Sequence, residues 1–234
     1  DVMRGNRESI SERGVHKLHR YLVRHFAEDR SFGTLARQIL TSRGNTIENP
    51  TASFFRIART PEDAAESTAQ LFLGVRIQCA KCHNHPYEAI TQNDYYGLAA
   101  FFARIDYKDG PFFVGEYDKE ETIFTTRSGE VKHPRTGKTI SPQLLGGPVV
   151  DVPENEDRRE VLARWLTSTE NPFFAKAAVN RIWFHLLGRG IVEPVDDFRS
   201  SNPPSNRALL TALAEEFVDY GFDRKHIIRL ILNS

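Results

Sequence analysis

The chain has 234 residues, 40% of them hydrophobic and sixteen of them Phe, enough to fill one large core or two modest ones. Lysine plus arginine and aspartate plus glutamate each total 31, so no net charge draws the chain to nucleic acid or to an acidic surface. No run approaches the roughly twenty apolar residues of a bilayer span, so the sequence reads as a soluble segment with no membrane span.

The chain begins at Asp1 without an initiator Met and stops at Ser234 inside an apolar helical pattern. It is read as a fragment of something longer, which makes the lack of a signal peptide uninformative. Residues 1–14 are polar and without period, the expected frayed end of an element. Val15, Leu18, Leu22 and Phe26 recur at helical spacing, and Phe32, Leu35, Ile39 and Leu40 follow Ser31 as N-cap of a second helix. His16, His19 and His25 lie on the first of these helices and are expected on its solvated surface, from which any could swing toward a metal.

Residues 42–59 read as a Ser/Gly/Asn/Pro-rich loop anchored by Phe54, Phe55 and Ile57. Thr60 as cap, Pro61 at the first helical position and Glu62 and Asp63 in the first turn then open a helix. Its stripe of Ala65, Ala69, Phe72, Arg76 and Cys79 is expected to deliver the next segment into the interior. That segment is Cys79-Ala-Lys-Cys-His-Asn-His-Pro, which holds both cysteines of the chain and two of its eight histidines.

Cysteines and histidines scattered at random would give Cys-x-x-Cys-His in roughly one such chain in several thousand, so the pattern asks for chemistry. If residues 79–83 form one helical turn, Cys79, Cys82 and His83 converge on one face. Two thiols so spaced can form thioethers with the vinyl groups of one porphyrin while the imidazole reaches the iron, which makes haem c the expected cofactor. Zinc is the alternative, bound by Cys79 and Cys82 with His83 or His85, although further histidines or a carboxylate would have to complete the site. A redox-active dithiol, a local disulfide and two idle thiols are the remaining readings.

For the sixth position of a haem held by His83, Met3 is the only methionine and sits in the expected tail. His185, which follows Trp183 and Phe184 on an apolar helix, is the distal candidate; its bland alternative is a core histidine satisfied by a carbonyl. His85 is too close to His83 to take the opposite face easily and is placed as a zinc ligand or a hydrogen-bonding support of the site.

Beyond the motif, Thr91 and Asp94 cap a helix carrying Tyr95, Leu98, Phe101, Phe102 and Ile105, rings that could wall a macrocycle but more often fill a core. Residues 108–151 are punctuated by Gly and Pro around short β-prone pieces at 122–126 and 131–133, a small β excursion or an extended linker. His133 falls in a Lys-His-Pro-Arg-Thr-Gly-Lys turn, solvated or touching an anion. Helices follow over Arg158–Leu166, from Asn171-Pro172 to Gly188, from Ser205 to Gly221 and after Asp223, with 191–206 an ordered loop that buries Ile191, Val192, Val195 and Phe198. The adjacent acids Glu120-Glu121 and Asp196-Asp197 are expected to be solvated or paired with arginines. No nucleophile elbow or phosphate loop occurs.

The expected fold is mainly α: a helical domain carrying the Cys-x-x-Cys-His turn (1–107), a Gly/Pro-rich β-containing connection (108–151) and a second helical region (152–234). Thr68-Ala-Gln-Leu-Phe-Leu-Gly-Val, the Cys79 motif and Asp94-Tyr-Tyr-Gly-Leu-Ala-Ala-Phe-Phe together resemble the planctomycete-type cytochrome domain of unknown function. Asn171-Pro-Phe-Phe-Ala, Val179-Asn-Arg-Ile-Trp, Gly188-Arg-Gly-Ile-Val-Glu-Pro-Val-Asp-Asp-Phe and Ser201-Asn-Pro-Pro-Ser-Asn resemble the C-terminal domain that accompanies it. The resemblance implies a large exported protein, periplasmic or associated with the cell envelope, with Cys79, Cys82 and His83 as haem attachment and ligand positions. It implies no reaction. The expected partner is a redox protein or another exported protein. A metal-stabilised scaffold without redox activity, or an enzyme with an open position on its metal, are the competing functions.

Overall fold

The computed structural model describes residues 5–84, 90–113 and 119–234. Helix α1 (Arg7–Ala27) begins earlier than its apolar period suggests, because Asn6 and Ser9 form a reciprocal capping box. The helix restarts at Ser11, whose backbone is non-helical (φ 65°, ψ 164°) and whose Oγ accepts the Gly14 N–H at 3.1 Å. The expected frayed end is therefore helical from Arg7.

Ser31 caps α2 (Phe32–Leu40) as its sequence suggests. The loop that follows is more ordered than its composition indicates. It contains β1 (Gly44–Asn45), a 3-10 turn at Pro50–Ala52 and α3 (Ser53–Ile57), with Phe54 and Phe55 buried. Helices α4 (Pro61–Thr68) and α5 (Gln92–Ala99) both start with capping boxes, Thr60 with Asp63 and Thr91 with Asp94.

Helix α4 continues as a π-type turn over Ala69–Leu73 and stops at Gly74, which has φ 67°. A Cβ on Gly74 would lie 2.8 Å from the Phe198 ring, so left-handed backbone and close packing both demand glycine there. This break ends the stripe expected to run through Arg76 to Cys79. Cys79 consequently leaves the interior and is exposed.

Residues 105–113 and 119–140 form a packed β excursion rather than a linker. Strands β2 (Ile105–Phe113) and β3 (Lys119–Thr125) pair antiparallel, and β1 adds to the other edge of β3, giving the order β1-β3-β2. Strands β4 (Val131–Lys132) and β5 (Thr139–Ile140) make a second small ladder, and Ile123 and Val131 join the main core. Arginines from the helical part neutralise the acids of β3: Glu121, nearly fully buried, lies between Arg56 (3.1 Å) and Arg59 (2.8 Å), and Glu120 accepts from Arg13 at 2.9 Å.

The last third is helical as expected, with α6 (Arg158–Leu166), α7 (Phe174–Leu187), α8 (Arg207–Asp219) and α9 (Arg224–Leu232). Leu162, Leu166 and Phe174 complete the core begun by α2, α4 and α5, while α7, α8 and α9 enclose a second cluster around Phe217 and Ile227. Phe32, Phe198 and Phe222 touch both clusters. No helix of the described residues is long and apolar enough to cross a membrane.

Candidate functional site

After Gly74 the chain drops Val75 and Ile77 into the core and enters a 3-10 turn at Gln78–Lys81, anchored by the fully buried Ala80. The Cys82 and His83 amides both donate to the Cys79 carbonyl, the second at 3.5 Å, so residues 79–83 do share one turn. Both thiols are free and exposed, and His83 is exposed beside them. The motif is thus a surface turn with a buried alanine as its root.

Helix α5 sets the position of that turn. The Lys81 carbonyl accepts from Gln92 Nε2 at 3.1 Å and from the Tyr96 hydroxyl at 3.0 Å, and the Asn84 side chain accepts the Gln92 amide at 3.0 Å. Gln92 and Tyr96 are themselves buried, so the hydrogen bonds are shielded from water. Burial raises the Tyr96 pKa, with nearby Glu62 and Cys82 adding to the effect, and keeps its hydroxyl a donor.

The His83 ring is oriented by its own neighbour: Nδ1 lies 2.7 Å from the Asn84 carbonyl oxygen. A carbonyl can only accept, so Nδ1 carries the proton and a neutral ring presents the Nε2 lone pair. This is the arrangement by which a metal-ligating imidazole is commonly fixed.

Of the other sequence candidates, only His185 lies among the described residues. His85 and Met3 are outside the described residues. His185 is exposed on α7, edge-on to Phe184 at 5.4 Å, and with His19 lines a cavity of about 570 Å³ to which Cys79, Cys82 and His83 do not contribute. Among the described residues no group of three His, Cys, Asp or Glu side chains is placed to share a metal ion.

Two histidines depart from the solvated placement their sequence context suggests. His25 is buried between the Tyr21 and Phe26 rings and donates from Nε2 to the Ser31 carbonyl at 3.2 Å, and burial lowers its pKa. His133 is also buried, its Nδ1 accepting the Arg135 amide at 3.2 Å and its ring lying 6.1 Å from that of Tyr96.

The C-terminal part braces the approach to the motif. Asp196 accepts from Arg76 Nε at 3.1 Å and from Gln70, Arg181 donates to the Leu71 and Gln70 carbonyls, and the Phe198 amide donates to the Gly74 carbonyl at 2.8 Å. Burial works against ionising Asp196, but Arg76 and Gln70 outweigh it and hold the carboxyl below its usual range. Asp197 pairs with Arg199 at 2.8 Å, so the adjacent acids point apart and each finds an arginine.

Two family models match the two parts joined by these contacts. Residues 1–107 match PSCyt2, described as a protein of unknown function (DUF1549), and residues 158–234 match PSD1, described as a protein of unknown function (DUF1553). Both are planctomycete cytochrome-associated domains without an assigned function. No curated protein and no solved structure matches the chain.

Sequence reasoning passed over the residues that position the motif: Asn84, Gln92 and Tyr96. Tyr96 is part of the core pattern of α5, and nothing local distinguishes its hydroxyl from that of Tyr95, which donates instead to Glu66 at 2.6 Å.

Proposed function

We propose that residues 79–83 are the attachment site of a covalent haem c and that the chain is part of an exported electron-transfer protein, periplasmic or associated with the cell envelope. The observation that carries this reading is a single closed turn with two free, accessible thiols and an imidazole whose Nδ1 proton is already engaged, leaving Nε2 for a metal. Cys79 and Cys82 would hold the haem, each thiol adding its S–H across one vinyl double bond to give a thioether, and His83 Nε2 would supply a nitrogen ligand to the iron. When bound, the haem supplies a one-electron couple. The chain supplies the rest: Ala80 roots the turn, Gln92 and Tyr96 hold its carbonyl, and Asn84 sets the plane of the imidazole.

The donor set favours haem over zinc. A closed zinc site needs four donors, and Cys79, Cys82 and His83 supply three from one turn, whereas a haem would ask of the chain the two thiols and one imidazole that this turn presents. Export follows from the chemistry, since haem is joined to such motifs after translocation. The partner is a redox protein or another exported protein.

Production in a host with haem-maturation machinery tests the reading. The expected product is coloured, with a Soret band that survives acid–acetone extraction, and His83→Ala shifts that band and loosens the iron without detaching the porphyrin. A colourless wild-type protein with one equivalent of zinc would overturn it.

A further inference from the structure

The cavity of about 570 Å³ between α1, α2, the π-type turn after α4, α7 and α9 is separate from the motif. Its volume falls within the roughly 300–1,000 Å³ of small-molecule sites. Leu18, Leu22, Leu35, Ile39, Leu71 and Ile182 give it apolar walls. Water in such a space gains little from its surroundings, so an apolar guest is favoured there.

The titratable side chains of the described lining are all basic. Among the described residues, Arg181, Arg224, His19 and His185 line the cavity and no Asp or Glu does. Arg224 lies over the Phe26 ring at 3.8 Å, its Nε is buried without a hydrogen-bond partner, and one of its terminal nitrogens makes only a long contact of 3.4 Å to the Arg30 carbonyl. Asp223 and Asp29 act on it only through space, and among the described residues it makes no ion pair. Arg181 spends its donors on the Leu71 and Gln70 carbonyls, at 2.8 and 3.3 Å, and likewise has no carboxylate in contact. Half-buried guanidinium groups facing apolar walls without a contacting anion leave a desolvation cost that an incoming anion offsets.

From this juxtaposition we infer that the cavity is a binding site for an amphipathic monoanion of the fatty-acid class, its aliphatic chain between α1, α2 and α7 and its carboxylate against Arg224. The site is independent of the haem reading and uses none of the motif residues.

Isothermal titration of the full chain with dodecanoate, dodecanol and dodecyltrimethylammonium, each below its micelle concentration, tests it. Dodecanoate is expected to bind about tenfold or more tightly than the alcohol, the advantage of a charge-assisted hydrogen bond, and the cation least. Arg224→Gln is expected to bring dodecanoate down to the affinity of dodecanol while leaving dodecanol unchanged. Ile182→Trp, which fills the cavity, is expected to weaken both with little change in Tm. Absence of binding by dodecanoate, equal affinity of acid and alcohol, or a preference that survives Arg224→Gln would overturn the inference.

Discussion

The ring of Phe32 stacks on that of Phe174, with 5.3 Å between centroids and 15° between planes. One ring belongs to the part that matches the first family model and the other to the part that matches the second, so the two parts are glued by a shared aromatic core. Phe72 and Phe222 pack against the same Phe174 ring. Phe174→Ala is expected to cost about 3–5 kcal/mol, as for other buried aromatic truncations. Because the core is shared, urea unfolding of the variant should remain a single transition by circular dichroism and tryptophan fluorescence alike; two separated transitions would contradict the shared core.

Arg159 is almost fully buried and is compensated by Asp157, whose Oδ2 lies 2.7 Å from its terminal nitrogen. Burial opposes ionisation of Asp157, but the Arg159 guanidinium prevails and holds the carboxyl below its ordinary value of 3.8. A carboxyl depressed in the folded state contributes stability that is present above its unfolded pKa and lost as pH falls through the folded one. Asp157→Asn keeps an N-cap for α6 but strands the buried cation. It is expected to cost about 3 kcal/mol at neutral pH and to flatten the acid limb of stability against pH, measured by urea midpoints.

At the alkaline end the relevant group is Tyr107, whose hydroxyl donates to the Arg59 carbonyl at 2.8 Å and the Phe55 carbonyl at 3.1 Å. Burial pushes its pKa up to about 12 from an ordinary 10.0. A raised folded pKa means the contribution is complete below 10.0 and disappears as pH climbs through about 12. Tyr107→Phe should lower stability by about 1 kcal/mol at neutral pH and make the alkaline decline shallower. An unchanged alkaline slope would show that the phenol does not titrate with unfolding.

The hydroxyl of Tyr96 holds the Lys81 carbonyl at 3.0 Å, one turn of backbone from the His83 amide. Tyr96→Phe removes about 1 kcal/mol of support and should speed hydrogen exchange at the His83 amide severalfold while amides in α7 keep their rates. Equal exchange in variant and wild type would mean that Gln92 alone holds the turn.

What the sequence disclosed and what it hid divide along the range of the interactions. The capping boxes of Thr60 with Asp63 and Thr91 with Asp94 are local, and α4 and α5 begin where those residues place them. The end of α4 was illegible, because the apolar spacing continues across Gly74 and the ring that requires a glycine there, Phe198, comes from the far end of the chain. That single break turned an interior Cys79 into an exposed one. The spacing of Cys79, Cys82 and His83 is visible in sequence, and the three do share one turn. The supports of that turn were not legible, since Gln92 and Tyr96 reach it through a carbonyl that has no signature in sequence. Arg224 could not be assigned to a cavity either, because only the approach of α9 to α1 puts its guanidinium over Phe26.

The most direct test is the intact mass of the denatured chain after export in a host that matures c-type haem. One haem added through both sulfurs, retained under denaturing conditions and lost stepwise in Cys79→Ala and Cys82→Ala single and double variants, is the predicted result. A wild-type mass equal to that of the bare polypeptide would contradict it.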